Sequence, residues 1–220
     1  AEGKADQDDA LQKYGKRVVE RFEQAGVLGP RTILAHGVHT NAHEHELLAQ
    51  THTWLSHQPR SNMNNAVGVA PIPEMLARGV PVVMGNDGFS NAMWSEWQAA
   101  YFIHKDHAHD PRVMNGFEVL KIAVENNADL ATQTFDGLRI GEICEGAAAD
   151  LILVDFHPIT PLTTENLPWQ ILFGFRDGMV TATMVDGKLL MKDRQLLTLD
   201  EEEIAAKARE QAQKVWNKIN

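Results

Sequence analysis

Seven of the ten histidines of this 220-residue chain, His36, His39, His43, His45, His52, His57 and His104, fall in one stretch together with Asp87. Imidazole and carboxylate side chains are donors for divalent metals and titrate where protons can be moved, so chemistry is sought there first. Asp87 stands in Gly85-Asn86-Asp87-Gly88, directly after an apolar run, where the glycines keep the backbone tight and leave room for a ligand. An Asx turn or a cap for the following helix explains the same residue. His36 also ends an apolar run, as a ligand or as a hydrogen-bonded core residue. A divalent ion held by mixed His and Asp donors would bring the pKa of a bound water towards about 7 and so make a nucleophile.

Other motifs fail on spacing. His43-Glu44-His45-Glu46 lacks the second histidine that H-E-x-x-H requires, since Leu47 and Ala49 follow, and it reads as a solvated helix start. The zinc-deaminase pattern needs two thiolates, and Cys144 is the single cysteine. No Walker A loop, dinucleotide fingerprint or nucleophile elbow is present. His104, His107 and His109 read as surface or packing residues, and Trp94 with Trp97 as core.

The elements that position these residues alternate. Asp9 and Gln12 form a capping box for a helix of about four turns running through Leu11, Tyr14, Val18, Phe22 and Ala25. Thr32–Ala35, Thr53–Ser56 and Val80–Met84 are short continuous apolar runs, the signature of strands buried on both faces of a parallel sheet. Helices are expected over 43–51, 71–78 and most of 91–135. The strands end in His36, His57 and Asp87, spaced near the repeat of a (β/α) barrel, where side chains at the C-terminal strand ends converge. Beyond the barrel, Asp150–Val154 and a hairpin over 180–191, turned by Asp186-Gly187, make a small β part. Asp200 and Glu203 then cap a last helix, with Leu199 stapled to Ile204 and an apolar face of Ile204, Ala208, Ala212, Val215 and Ile219. The expected division is 1–140 for the α/β barrel part, 141–198 for a small β-sandwich part and 199–220 for the helix.

Composition narrows the partners. The net charge of −10 and 20 scattered basic residues argue against nucleic acid. No eighteen-residue apolar run or signal-peptide pattern is visible, and one cysteine suits a reducing compartment, so a cytoplasmic protein without membrane contact is expected.

Ala35-His36-Gly37-Val38-His39, His57-Gln58-Pro59-Arg60-Ser61-Asn62-Met63, Ala66-Val67-Gly68 with Pro71, and Gly85-Asn86-Asp87-Gly88 together resemble successive barrel motifs of the amidohydrolase superfamily. Within it they are most similar to the cytosine-deaminase-like and triazine-hydrolase-like group, and over the longest stretch to the aminohydrolase branch named SsnA. The resemblance implies strands six to eight of a (β/α)8 TIM barrel followed by a small C-terminal β subdomain and a terminal helix. It matches Glu2 to the Glu of an H-x-x-E pair whose metal-binding His would precede Ala1, with a further His-x-His pair upstream. Departures fall at Gly37, Gln58 and Asn86, where Cys, Asn and Thr are common.

The implied cofactor is one divalent metal ion, Zn²⁺ or Fe²⁺, holding a hydroxide, with Asp87 as ligand and proton acceptor and His36 at the edge of the coordination sphere. Glu2 would protonate a ring nitrogen, and Glu2, His57, Arg60 and Asn62 would face the substrate, Arg60 being equally suited to a surface ion pair. The expected reaction removes an exocyclic amine from a purine-, pyrimidine- or triazine-like ring. Cyclic-amide opening, hydrolytic dehalogenation, or a non-catalytic fragment serving as a binding or oligomerisation module are the alternatives. The expected partners are a small heterocyclic substrate and, at full length, further copies of the chain.

Overall fold

The computed structural model describes residues 1–135 and 137–219, which form two compact units, one of residues 1–138 with 158–175 and one of 139–157 with the chain from 176 onward. In the first unit the elements run α1 (Lys4–Tyr14), α2 (Val18–Gln24), β1 (Ile33–Ala35), α3 (Ala42–Thr51), β2 (Trp54–His57), α4 (Pro59–Asn64), α5 (Ile72–Ala77), β3 (Val82–Met84), α6 (Met93–Ala108), α7 (Gly116–Leu120) and α8 (Asn126–Thr134). A wide turn at Lys121–Glu125 joins the last two. Strands β1, β2 and β3 form a parallel three-stranded sheet in that order.

The apolar runs behave as their composition requires at β2 and β3. Leu55, Val82, Val83 and Met84 are buried, and Leu55, Val82 and Met84 pack with Leu48, Ile72, Met75, Trp97, Met114 and Ile122. β1 departs from the expectation of burial on both faces. It lies at the sheet edge, and Ile33 is 52% exposed. The outer edge of β3 is closed differently: Asn127 Nδ2 donates to the Met84 carbonyl at 3.1 Å and its Oδ1 accepts from the Met84 amide at 3.0 Å, while Asn126 donates to Val82. One asparagine side chain thus offers the donor and acceptor that a neighbouring strand would present.

The expected four-turn helix is two helices. Gly15, at φ 65°, ends α1 in a left-handed turn, and α2 begins after Arg17. The true start is Gly3, whose amide donates to Asp6 Oδ2 at 3.0 Å, so Asp9 and Gln12 lie inside the helix rather than at its cap. The His43–Glu46 cluster is also corrected, since Glu44 and His45 are buried and only its other two residues are exposed. Helix α9 (Leu167–Gly174) packs in this unit, with Trp169 edge-on to Phe117 and Phe175 edge-on to Trp94. Gly116 admits it, because a Cβ there would lie 2.9 Å from Pro168.

In the second unit β4 (Leu151–Val154), β5 (Val180–Val185), β6 (Lys188–Lys192) and β7 (Gln195–Leu196) make one antiparallel sheet. Asp186 and Gly187 take φ of 48° and 73°, the pair of left-handed residues a type I′ hairpin demands. Helix α10 (Glu201–Ile219) starts with the Glu203 amide donating to Asp200 Oδ1, and Ile204, Val215, Trp216 and Ile219 along it are exposed. Among the described residues no helix is long and apolar enough to cross a membrane.

Candidate active site

Each strand of the parallel sheet delivers a polar side chain at or just past its C-terminal end, His57 being the last residue of β2. His36 follows β1 directly and Asp87 follows β3 by three residues, and both take left-handed backbone conformations, φ 69° and 51°. Non-glycine residues adopt that region at a cost, and such strain gathers where surrounding contacts hold a side chain in a chosen direction.

Those contacts come from one turn of α4. Asn62 Oδ1 sits 2.8 Å from His36 Nδ1, and Ser61 Oγ donates to Asp87 Oδ2 at 2.7 Å. An amide oxygen only accepts, so Nδ1 carries the hydrogen and Nε2 is left to face the rest of the site. Nε2 stands 3.7 Å from Asp87 Oδ2 and 3.8 Å from Glu2 Oε2. Glu2 is steered by Asn65, whose amide donates to its Oε1 at 2.9 Å. Thus the structure brings Glu2, His36 and Asp87 together, with Asn62 behind the imidazole. Asp87 does not cap α6, whose N-cap residue Ala92 makes no side-chain cap bond.

The remaining expected residues lie deeper. His57 is buried, with Nε2 3.0 Å from Nε2 of His104, a residue of α6 that reads in the sequence as surface or packing and is buried. Burial holds the His57 ring well below its ordinary pKa and lowers His104 to about 4. Arg60 has its guanidinium on the buried carboxylate of Glu96 at 2.6 Å and on the Ser90 carbonyl at 2.8 Å. Gly85 leaves no space for a ligand, as a Cβ there would lie 2.7 Å from the Gln58 amide and 2.8 Å from Ser56 Oγ, whereas nothing lies within 4 Å at Gly88. Asn65 and Glu96 carried no motif, Ser61 was read only as part of the His57–Met63 stretch, and His104 only as one of the clustered histidines. Only the position of Ser61 beside Asn62 hinted at a role.

A cavity of about 330 Å³ adjoins Glu2 and His36 but not Asp87, and is lined also by Gly37 and Thr40 with Val18, Phe22, Leu34 and Leu55. This volume, part polar and part apolar, suits a small organic molecule. As metal donors, the imidazole nitrogen and Asp87 oxygen are of the right types for zinc. Ligands at about 2.1 Å in a tetrahedron stand roughly 3.4 Å apart, close to the observed spacing. They fit as part of a ligand set. Among the described residues no group of three or more His, Cys, Asp or Glu side chains is arranged to hold a metal.

Comparison with known proteins gives the family of the chain. The amidohydrolase family model matches residues 1–190. The 5-methylthioadenosine/S-adenosylhomocysteine deaminase of Syntrophomonas wolfei is 34% identical over 99% of the chain and 51% of its own length. The 5'-deoxyadenosine deaminase of Methanopyrus kandleri is 34% identical over 98% and 50%. In three dimensions the chain is similar to an adenosine deaminase from Xanthomonas campestris with bound zinc, at TM-score 0.87 and 25% identity over 98% of the chain and 49% of that structure. The zinc complex of atrazine chlorohydrolase from Arthrobacter aurescens shares the fold at TM-score 0.76 and 21% identity, over 93% and 46%. The chain belongs to the amidohydrolase family. It spans about half the length of the curated relatives it matches.

Proposed function

We propose that this chain is the C-terminal part of a metal-dependent hydrolase that releases ammonia from the exocyclic amine of a nitrogen heterocycle, with an adenosine-type base as the first substrate class. The observation that carries the reading is the meeting of Glu2, His36 and Asp87 at the C-terminal ends of parallel strands, each fixed by its own partner from α4 or the residue after it. On this reading β1, β2 and β3 are strands six to eight of a (β/α)8 barrel. The adenosine preference is supported by the names of the relatives that are 34% identical.

Asp87 and His36 would hold one divalent ion, Zn²⁺ or Fe²⁺, together with donors from outside this chain. When bound, such an ion would lower the pKa of water to about 7 and polarise the carbon under attack. Asp87 takes the proton of the attacking water, with Ser61 fixing the orientation of its carboxylate. His36 presents the Nε2 lone pair to the site, where it would serve as a ligand, because Asn62 holds the hydrogen-bearing nitrogen. Glu2 delivers a proton to the ring nitrogen beside the amine, so that charge does not build on the ring; the proton taken up by Asp87 then goes to the leaving amino group, and the hydroxyl proton of the tetrahedral centre returns to Glu2 as ammonia departs. His57 and Arg60 support these groups from behind.

The test is ammonia release from adenosine, 5'-substituted adenosines, cytosine and aminotriazines by a protein that joins this chain to the preceding barrel strands, loaded with Zn²⁺ or Fe²⁺. Turnover of the adenosines above the other rings is expected. No ammonia from any ring, with the metal shown to be bound, would end this reading.

A further inference from the structure

Two ion pairs outside the site share one construction. Arg17, at the start of α2, places Nε 2.6 Å from Oε2 of Glu44, and Arg60, in α4, places Nε 2.6 Å from Oε1 of Glu96. Among the described residues these are the ion pairs whose carboxylate side chain is fully buried, at 0% exposure in both cases. Each Glu lies in the first turn of the helix that follows a site strand, Glu44 in α3 after β1 and Glu96 in α6 after β3. Each Arg reaches past the carboxylate with its second arm to a loop carbonyl, His39 in the loop after β1 and Ser90 in the loop after β3. Backbone amides complete both carboxylates: Val19 and Asn41 on Glu44, and that of Arg60 on Glu96.

We infer that these pairs are one positioning device used twice, a brace that holds the loop leaving each site strand and so sets where His36 and Asp87 stand. The geometry supports three steps. First, a buried carboxylate needs a cation and several donors, so Glu44 and Glu96 fix the orientation of the guanidinium forks opposite them. Second, each fork has arms to spare, and the spare arm goes to a loop carbonyl rather than to solvent. Third, β2 passes to α4 through the single residue Gln58, and this strand, which has no loop to hold, has no brace. Gln7 and Asn86 strengthen the two ends, Gln7 by donating to the His39 carbonyl at 3.0 Å and Asn86 to that of Ser90 at 3.3 Å. The braces would keep two strained residues in left-handed conformations that neither would hold alone. Arg60 is therefore a positioning residue and not a substrate contact. The value of this for catalysis rests on the proposed site; the bracing itself does not.

Lysine separates bracing from charge balance, since an ammonium can neutralise the carboxylate but lacks the rigid fork needed to hold carboxylate and carbonyl together. The experiment is amide hydrogen exchange, read by mass spectrometry of peptic fragments, on the wild-type chain and on Arg60→Lys and Arg17→Lys. R60K is expected to speed exchange in residues 85–92 about tenfold and leave 36–41 unchanged, and R17K to do the reverse. If R60K does not fold, the paired change Arg60→Met with Glu96→Leu, which removes both charges together, is read in the same way. Loop exchange equal to wild type in the lysine or paired variant, or loosening of both loops by either change, would overturn the brace. Because exchange is measured without substrate or metal, this outcome is separate from failure of the ammonia assay.

Discussion

At the scale of single residues the account turns on α4, where consecutive side chains divide the work. Arg60 holds a loop, Ser61 holds Asp87 and Asn62 holds His36. Removing a group that orients a metal ligand commonly costs about 10- to 100-fold in activity or metal affinity. Ser61→Ala and Asn62→Ala in the metal-loaded longer protein are therefore expected to lower kcat by that range with little change in KM, read from initial rates of ammonia release. A change confined to KM would instead make them substrate contacts. Gly85 allows a second test on the chain itself. A methyl group there meets the Gln58 amide and Ser56 Oγ at under 3 Å, so Gly85→Ala is expected to destabilise by about 1–3 kcal/mol in urea unfolding. Unchanged stability would show that Gln58 can move aside.

At the scale of elements, β2 and α6 are joined through the buried His57–His104 contact. Both rings are held neutral in the folded chain by burial, while in the unfolded chain they protonate near pH 6.5. The unfolded state therefore binds more protons as pH falls below about 6.5, and stability is full above that value and declines below it. The loss contributed by His104 levels off near its folded pKa of about 4. Each ring contributes a slope of about 1.4 kcal/mol per pH unit at most. Melting curves from pH 7.5 to 4.5 should show this decline, and His104→Leu should flatten it. An equally steep decline in that variant would place the acid lability elsewhere.

Strands and hairpin were legible in the sequence because their signals are local: continuous apolar runs for β2 and β3, and Asp186-Gly187 for the turn of β5 and β6. The break at Gly15 was not, since Leu11, Tyr14, Val18 and Phe22 keep helical spacing across it while the chain changes direction. Of the proposed site, His36 and Asp87 stood out because they follow apolar runs, whereas Glu2 was reached only through the family resemblance. The braces were not legible, because Arg17 and Glu44, or Arg60 and Glu96, meet only through tertiary packing, and no spacing links them. For the same reason Glu44 read as a solvated residue although it is buried.

At the scale of the whole molecule, the chain brings His36 and Asp87, the two proposed metal donors, to within 3.7 Å of each other and has a family relationship to proteins about twice as long. Catalytic zinc normally keeps three protein ligands. The 220-residue chain should thus bind Zn²⁺ at least a hundredfold more weakly than the protein that includes the preceding strands, in competition with a chromophoric chelator. Equal affinity would mean that a complete ligand set lies within this chain. The central claim, that Asp87 and Glu2 perform the hydrolysis, is tested most directly by ammonia release from adenosine-type substrates by the longer, metal-loaded protein and its Asp87→Ala and Glu2→Gln variants. The account predicts a loss of at least a thousandfold in kcat for D87A and a large loss for E2Q, with both variants folded. Ammonia release that survives D87A would contradict it.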